Sequence, residues 1–333
     1  MKNKRLLIVD ALNFFIRSYI VNPSISTNGN PIGGIYGTLK SLQKVVRDVN
    51  PDEIIFAWDG EGGSKKKKLI NKDYKEGRKP IVRLNRNIIG SLSEDQENNN
   101  MNWQQIRLYE YLNLMPIMQF LESGVEADDI IATIVKHDKY LNWHIVILSS
   151  DKDFIQLCDE KTILYRPMQE DIKTVKNVVK EFGIHPTNFA LARSMDGDKS
   201  DNIKGVDGVG LKSITKYFPF LVESKTYLID DLESFCKEKL KEEKVKTNFY
   251  QKIVDNVELI KTNYSLMQLY SPNLSVQVAQ KTRNILNDFV PDLNQTEIRK
   301  MFTQDCFPVL DTTFDEMYST FRRIIRDFNE KQS

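Results

Sequence analysis

Cysteine and histidine are scarce in this chain, which carries three of each among its 333 residues. The cysteines, Cys158, Cys236 and Cys306, are widely separated and form no C-x-x-C pair. Their spacing excludes a disulfide framework, offers no zinc site and suits a reducing cytosol. No run approaches the roughly 20 apolar residues that a membrane-spanning helix needs. Asp10 interrupts the first apolar stretch too early for a signal peptide. We therefore expect a cytoplasmic protein that does not bind a membrane.

Net charge is also almost absent, at +1 in total, although 28% of the residues are charged. A polyanionic partner would therefore have to be bound by local basic patches rather than by a uniformly basic surface. One such patch runs from Lys65 to Arg86, where ten basic residues stand against two acidic ones. The length and the 41% hydrophobic content indicate a soluble globular chain with two lobes, or with one large domain and an appendage.

Three apolar runs with the composition of β-strands are each followed by acidic residues. These runs and the acids that follow them are Leu6–Val9 with Asp10, Glu53–Trp58 with Asp59, and His144–Leu148 with Asp151 and Asp153. Helical spacing from Tyr36 to Val49 separates the first two runs, which indicates a βαβ unit and a parallel sheet. The acids then lie at one edge of the sheet, where open α/β sheets place their ligand sites.

Nine carboxylates stand at strand ends or in close pairs along the chain: Asp10, Asp59, Glu126, Asp128, Asp129, Asp151, Asp153, Asp198 and Asp201. Brought to one sheet edge, they would repel one another severely unless cations bound between them. Oxygen-only ligands favour Mg²⁺ or Mn²⁺ over zinc, and two such ions roughly 4 Å apart can activate water against a phosphodiester. Taken singly, each acid has another explanation, because Asp10 could cap a helix and the others could form turns or favour helix N-termini.

A glycine-rich turn follows the last of these acids. Residues 195–212 read M-D-G-D-K-S-D-N-I-K-G-V-D-G-V-G-L-K, and the glycines of the turn are Gly205, Gly208 and Gly210. Backbone amides in such a turn between two helices can hold a nucleic-acid phosphate, and Lys212 adds charge beside them. A turn without a ligand is the alternative, which would be favoured if the acids were not so near.

Residues 60–104 form a basic insertion on the predicted sheet. Within it, Lys75 and Arg78 are three residues apart, so on a helix they would share one face and could reach a scissile phosphate. The lysines at 65–68 are expected to capture a nucleic-acid backbone through their charge. A solvated basic loop is the alternative for the whole insertion.

Two further stretches carry predictions of secondary structure. Ser91 to Asn102 is polar, Asn-rich and without periodicity, so we expect it to be flexible. Gln104 to Leu121 returns to helical periodicity, and from Phe218 onward the chain reads as a series of helices.

Taken together, the motifs resemble those of the 5′-nucleases, the family that includes the 5′-exonuclease domain of bacterial DNA polymerase I and the flap endonucleases. The shared motifs, in chain order, are V-D-A-L-N-F, T-N-G-N-P-I-G-G-I-Y-G, A-W-D-G, Y-K-E-G-R, V-E-A-D-D-I-I-A, L-S-S-D-K-D-F-I-Q-L, E-F-G-I-H-P and the 195–212 stretch. In its length and its helical C-terminal third, the chain looks most like the ribonuclease H group of T-even-type phages.

The resemblance implies an α/β fold, with a PIN-like parallel sheet core flanked by helices. A helical arch would occupy about residues 60–104 and a helix–three-turn–helix motif, a duplex-binding form of the helix-hairpin-helix, about residues 186–220. Residues 1–220 would form the nuclease core, and residues 221–333 an all-helical C-terminal region. The family's turn is also associated with a bound K⁺.

The resemblance also implies roles for individual residues by their matching positions. The acids nearest the reacting phosphate would be Asp10, Asp59, Glu126, Asp128, Asp151 and Asp153. Two Mg²⁺ sites, which Mn²⁺ could also fill, would be completed by Asp129, Asp198 and Asp201. Lys75 and Arg78 match the arch cations. Tyr36 matches an aromatic residue near the active site that could stack on an unpaired base, and a core aromatic is its alternative.

The function implied is a metal-dependent 5′→3′ exonuclease or flap endonuclease that removes RNA primers, as a ribonuclease H, and 5′ flaps during DNA replication. Its substrates would be duplex DNA with a 5′ flap or nick, or an RNA·DNA hybrid. A single-strand-binding protein and a sliding clamp are candidate partners of the expected monomer. Two alternatives are a structure-specific DNA-binding protein with weak catalysis and a PIN-type ribonuclease acting on single-stranded RNA. The complete set of acids argues against the first, and the duplex-binding turn against the second.

Overall fold

The computed structural model describes residues 4–79, 81–84, 92–242, 248–308 and 315–330. The predicted arch at 60–104 therefore falls partly outside the described residues, at positions 80 and 85–91. Parts of the helical region predicted after residue 218 lie outside them as well, at 243–247, 309–314 and 331–333.

Strands and helices alternate through the first part of the chain, and helices alone follow. The strands are β1 (Arg5–Asp10), β2 (Glu53–Trp58), β3 (Met118–Leu121), β4 (His144–Leu148), β5 (Thr162–Arg166), β6 (Asp171–Lys173), β7 (Gly197–Asp198) and β8 (Ile203–Lys204). The helices before the glycine-rich turn are α1 (Ala11–Val21), α2 (Gly33–Val49), α3 (Lys65–Ile70), α4 (Glu94–Asn113), α5 (Ala127–Val135), α6 (Val175–Phe182) and α7 (Phe189–Asp196). The helices after it are α8 (Leu211–Tyr217), α9 (Ile229–Leu240), α10 (Phe249–Asp255), α11 (Val257–Met267), α12 (Val276–Asp288), α13 (Gln295–Gln304) and α14 (Asp315–Asn329). Among the residues that the structure describes, no helix is both long and apolar enough to cross a membrane.

The main sheet has the strand order β3-β2-β1-β4-β5-β6, in which β6 pairs antiparallel and the other pairs are parallel. The chain runs outward from β1 through β2 to β3, then returns to place β4 on the other side of β1. In open α/β sheets, ligands bind in the crevice where the strand order reverses in this way. Asp10 ends β1 and Asp151 follows β4, so both lie at that crevice. The predicted parallel sheet is confirmed.

Alternate side chains of the strands enter two separate apolar layers. In β1, Leu6 and Ile8 belong to one layer, and Leu7 and Val9 to the other. Because the central strands are covered on both faces, their sequences are continuous apolar runs rather than alternating ones. Helices α5 to α12 contribute to the layer of Ile8. Helices α1, α2, α4, α13 and α14 contribute to the layer of Val9, so the C-terminal region is part of both apolar layers that cover the sheet. The predicted domain boundary at residue 220 stays a prediction.

Two predictions around the insertion are wrong. Helix α4 begins inside the Asn-rich stretch that we expected to be flexible, because a capping box starts it. Ser93 Oγ accepts a hydrogen bond of 3.3 Å from the Gln96 amide, and Gln96 Oε1 accepts one of 2.9 Å from the Ser93 amide. Farther along, Gln104 Oε1 accepts a bond of 2.7 Å from the Gly34 amide, which fixes α4 to the core. The helix ends at Asn113, so the helix predicted to reach Leu121 is wrong at its C-terminal end, where β3 forms instead.

Candidate active site

Asp10 closes β1 and begins α1. Its Oδ1 accepts a hydrogen bond of 3.4 Å from the Asn13 amide and so caps α1. Its Oδ2 accepts one of 2.7 Å from the hydroxyl of Ser149, which follows β4. Burial, followed by repulsion from Asp59, raises the pKa of the Asp10 carboxyl well above its usual range. Asp10 is therefore both a helix cap and a member of the acid cluster.

Asp59 and Glu126 meet at the start of α5. Asp59 Oδ1 accepts a hydrogen bond of 2.9 Å from the Ala127 amide, which joins the end of β2 to this helix. Glu126 occupies the N-cap position of α5 and is only 3% exposed. Both of its oxygens are paired with cations. Oε2 lies 2.5 Å from Lys67 Nζ, and Oε1 accepts a hydrogen bond from Lys75 Nζ.

Asp151 and Asp153 lie on the 3₁₀ turn that follows β4, where Asp151 Oδ1 accepts a hydrogen bond of 2.9 Å from the Asp153 amide. Desolvation in the crevice, with repulsion from Asp151, raises the pKa of Asp153 well above its usual range. Desolvation first, and then repulsion from Asp201 and Asp198, raises the pKa of Asp151. The β4 acids and the acids of the β7–β8 hairpin therefore act on one another through space.

The hairpin acids carry guanidinium partners. Arg193 Nη2 lies 2.5 Å from Asp198 Oδ2, and the same side chain approaches Asp153 Oδ1 to 3.7 Å through its Nε. Arg78 Nη2 lies 2.5 Å from Asp201 Oδ1. The structure thus brings the predicted cation Arg78 to the predicted acid Asp201.

Tyr74 and Arg193 contact the acids although the sequence analysis gave them no role. Tyr74 is 2% exposed and lies in a small apolar cluster with Ile203 of the hairpin and Met267 of α11. Its hydroxyl donates a hydrogen bond of 3.5 Å to Glu126 Oε2. The position of Tyr74 directly before Lys75 in Y-K-E-G-R is the sequence signal that could have indicated it, whereas nothing in the sequence marks Arg193.

The acids fit a hard divalent cation by their chemistry. Their donors are carboxylate oxygens. Burial raises the pKa values of Asp10 and Asp153 most, repulsion from neighbouring carboxylates raises them further, and a bound cation would offset that repulsion. As they stand, no three acidic, histidine or cysteine side chains in the described part of the chain converge closely enough to hold an ion. Basic side chains occupy carboxylate oxygens instead, namely those of Lys67, Lys75, Arg78 and Arg193. An ion would have to displace some of them.

Two predicted residues point elsewhere in the structure. Asp129 Oδ1 accepts a hydrogen bond of 3.0 Å from the Asn273 amide, so this acid connects α5 to the loop between α11 and α12. The ring of Tyr36 is half-buried against Phe307, with 6.1 Å between the ring centroids. That contact favours the core alternative for Tyr36, although its predicted stacking on a base stays a prediction.

Glycines set the shape of the turn beyond the acids. Gly197 has a φ of 81°, and a Cβ on Gly205 would lie 2.1 Å from the Asp196 carbonyl oxygen, so the backbone at the base of the β7–β8 hairpin leaves no room for a side chain at Gly205. Gly208 has a φ of 71°, and Lys252 Nζ donates a hydrogen bond of 2.9 Å to the neighbouring Asp207 carbonyl oxygen.

A groove of about 720 Å³ runs along this turn, and Gly205, Gly208 and Gly210 are among the residues that line it. Lys212 is exposed on the first turn of α8, next to the groove. The predicted phosphate-binding residues are therefore grouped on one surface, and their binding role stays a prediction.

Comparison with known proteins places the chain among nucleases. The family described as 5′-3′ exonuclease, N-terminal resolvase-like domain, matches residues 5–183. The chain belongs to the 5′-3′ exonuclease family. It is 28% identical over 293 residues to a 5′-3′ exonuclease of Aquifex aeolicus, an alignment that covers 88% of this chain and 89% of that relative. It is 31% identical over 217 residues to a 5′-3′ exonuclease of Buchnera aphidicola subsp. Schizaphis graminum, covering 64% of this chain and 69% of that relative.

A solved structure shows the same fold. It is that of the bacteriophage T5 flap endonuclease in a pseudo-enzyme-product complex with DNA and metal ions. It matches with a TM-score of 0.63 and 19% identity, over 91% of this chain and 98% of that chain. The predicted family and fold are confirmed, and membership of the 5′-3′ exonuclease family makes this chain a phosphodiester-hydrolysing nuclease. The roles of individual site residues stay predictions.

Proposed function

We propose that the chain is a divalent-metal-dependent 5′→3′ exonuclease and flap endonuclease that removes RNA primers and 5′ flaps from duplex DNA during replication. The observation that carries this proposal is the crevice between β1 and β4. There, burial first, and then repulsion from Asp59 and Asp151 respectively, raises the pKa values of the Asp10 and Asp153 carboxyls well above their usual range. Lys75 of the insertion pairs with Glu126 of the acid cluster, and Arg78 pairs with Asp201 of the hairpin that leads to the glycine-rich turn. Such a site suits a phosphodiester backbone held beside divalent ions.

In this proposal the acids of the crevice hold two Mg²⁺ ions, which Mn²⁺ can replace. Bound there, the ions would supply an activated water and stabilise the leaving oxygen. The residues assigned to the ions are Asp10, Asp59, Glu126, Asp128, Asp129, Asp151, Asp153, Asp198 and Asp201. Asp129 Oδ1 accepts a hydrogen bond from the Asn273 amide, so its Oδ2 would be the oxygen that faces an ion or a bridging water.

Lys75 and Arg78 provide the positive charge for the reacting phosphate. Without substrate they are paired with Glu126 and Asp201. If bound metal neutralised these acids, both side chains would be free to bind the phosphate on which negative charge develops. In the structure these two basic side chains are thus the counter-ions of Glu126 and Asp201.

The glycine-rich turn binds the duplex away from the cut in this proposal. Its amides and Lys212 would contact backbone phosphates, which positions the substrate without reading its sequence. The proposal also includes a K⁺ bound at the turn. The protein would act as a monomer, with a single-strand-binding protein and a sliding clamp as its partners. Lys252 Nζ donates a hydrogen bond to the Asp207 carbonyl oxygen of this turn.

A panel of 5′-labelled substrates tests the proposal. A 5′ flap, a nicked duplex and an RNA·DNA hybrid should each release short labelled products in Mg²⁺, and a chelator should stop their release. Asp151→Asn should abolish cleavage while preserving affinity for the flap, and Asp48→Asn, on the exposed side of α2, should change neither. Intact substrates at every Mg²⁺ and Mn²⁺ concentration would refute the proposal.

A second candidate function is a structure-specific DNA-binding protein with weak catalysis. The observation that favours it is that Lys67, Lys75, Arg78 and Arg193 occupy acid oxygens in the structure. If wild-type protein binds flap DNA tightly but cleaves no faster than Asp151→Asn, this second function is the correct one.

A further inference from the structure

The four consecutive lysines at 65–68 are not equivalent in the structure. They form the first part of α3, and Lys65, Lys66 and Lys68 are exposed to solvent. The side chain of Lys67 is only 13% exposed. Lysines that only attracted a nucleic-acid backbone through their charge would all be exposed to solvent. Lys67 is not, so its environment differs from that of its three neighbours.

Lys67 points into the acid cluster. Its Nζ lies 2.5 Å from Glu126 Oε2 and 3.7 Å from Asp128 Oδ2, so one ammonium group bridges two carboxylates at the start of α5. The same Nζ lies 5.6 Å from the ring centroid of Tyr74, which closes the site from the side of the insertion. An ammonium between two carboxylates occupies the place of a small cation.

The position of α3 is fixed from outside the cluster. Lys66 Nζ donates a hydrogen bond of 2.9 Å to the carbonyl oxygen of Asn273, and the amide of Asn273 donates to Asp129 Oδ1 at 3.0 Å. Lys66 therefore attaches α3 to the loop between α11 and α12, and the same loop is attached to α5. With Lys66 turned outward to that loop, Lys67 is turned inward to Glu126 and Asp128.

We propose that Lys67 is a tethered counter-cation that occupies the Glu126–Asp128 pair in the metal-free protein and is displaced when a divalent ion binds. The inference rests on the proposed metal dependence. It assigns Lys67 a defined position in the active site. The charge of the lysine run by itself would predict only that these side chains attract nucleic acid. In the metal-free state the ammonium offsets the repulsion between the two carboxylates. In the metal-bound state it withdraws, so it makes the binding of the ion weaker.

The test compares thermal stability and Mg²⁺ affinity in the full chain without substrate. Lys67→Met should lower the melting temperature in a chelator by roughly 2 °C, but leave the melting temperature in saturating Mg²⁺ unchanged. Isothermal titration with Mg²⁺ should show binding that is tighter by roughly fivefold, because no ammonium has to be displaced. Lys67→Arg keeps the positive charge and should therefore have the melting temperature of the wild type in the chelator. Lys68→Met, the exposed neighbour, should match the wild type in every measurement.

The outcomes are distinguishable. A Lys67→Met protein that is destabilised equally with and without Mg²⁺ would show a purely structural role and overturn the proposal. Mg²⁺ affinity that is unchanged or weaker in this variant would overturn it as well. If the wild type and Lys68→Met show no Mg²⁺ binding at all, the proposed metal dependence fails. If they bind Mg²⁺ and Lys67→Met behaves identically, only the role of Lys67 fails.

Discussion

Arg83 and Glu97 form a buried ion pair within the insertion, and Tyr19 of α1 joins this pair to the core. Arg83 Nε lies 3.1 Å from Glu97 Oε2, and the side chains are only 2% and 10% exposed. The guanidinium lies 4.3 Å from the centroid of the Tyr19 ring, and the Tyr19 hydroxyl donates to Glu97 Oε2 at 2.7 Å. Lys75 and Arg78 lie between two fixed points in the sequence, the buried Tyr74 before them and the Arg83–Glu97 pair after them.

Removing one partner of this pair should be costly for stability. We expect Arg83→Leu to lower the free energy of unfolding by about 3 kcal/mol, because Glu97 would be left as a buried, unpaired charge. Chemical denaturation measures the change. The control is Lys300→Ala, which breaks the exposed pair with Glu297 at 2.9 Å and should cost less than about 0.5 kcal/mol. Equal effects of the two variants would show that the Arg83 pair is not buried in solution.

Lys75 and Arg78 should affect the chemical step more than substrate binding. Lys75→Ala or Arg78→Ala should lower the single-turnover cleavage rate by about a hundredfold or more, because each removes charge aimed at the reacting phosphate. Flap affinity, measured in Ca²⁺ to prevent cleavage, should change by less than about threefold. Lys72→Ala is the matched control, since Lys72 is exposed on the same segment. A loss confined to affinity would assign both cations to substrate capture.

The arrangement of the sheet and its acids was predictable because both depend on short stretches of sequence. Each apolar run that is followed by an acidic residue forms a strand in the structure, and parallel strands bring their carboxyl ends to one edge of the sheet. The location of α4 was not predictable from its Asn-rich composition, because the capping box of Ser93 and the anchor of Gln104 outweighed weak helix propensity. The inward position of Lys67 depends on Asn273, a residue distant in sequence, so no local pattern contains it.

The close approach of Gly205 to the Asp196 carbonyl group predicts a difference between Gly205 and Gly210. Gly205→Ala should destabilise the fold and weaken duplex binding, because the added Cβ would lie 2.1 Å from the Asp196 carbonyl oxygen. Gly210→Ala should be tolerated, since its Cβ would come no closer than 3.6 Å to Asp196 Oδ1. Melting temperatures and duplex affinity measure both effects. If Gly210→Ala retains stability but loses affinity, phosphate contacts at its amide are the cause rather than misfolding.

Lys212 should reveal its role through the salt dependence of DNA binding. If its ammonium contacts one phosphate of the duplex, Lys212→Ala should reduce the slope of log affinity against log salt concentration by about one unit. The affinity should fall by a similar factor for every duplex sequence, because a phosphate contact carries no sequence information. Lys176→Ala, which removes an exposed lysine of α6, should leave the slope unchanged. A slope that Lys212→Ala does not alter would place this lysine outside the duplex-binding surface, and the glycine-rich turn would then have to bind the backbone through its amides alone.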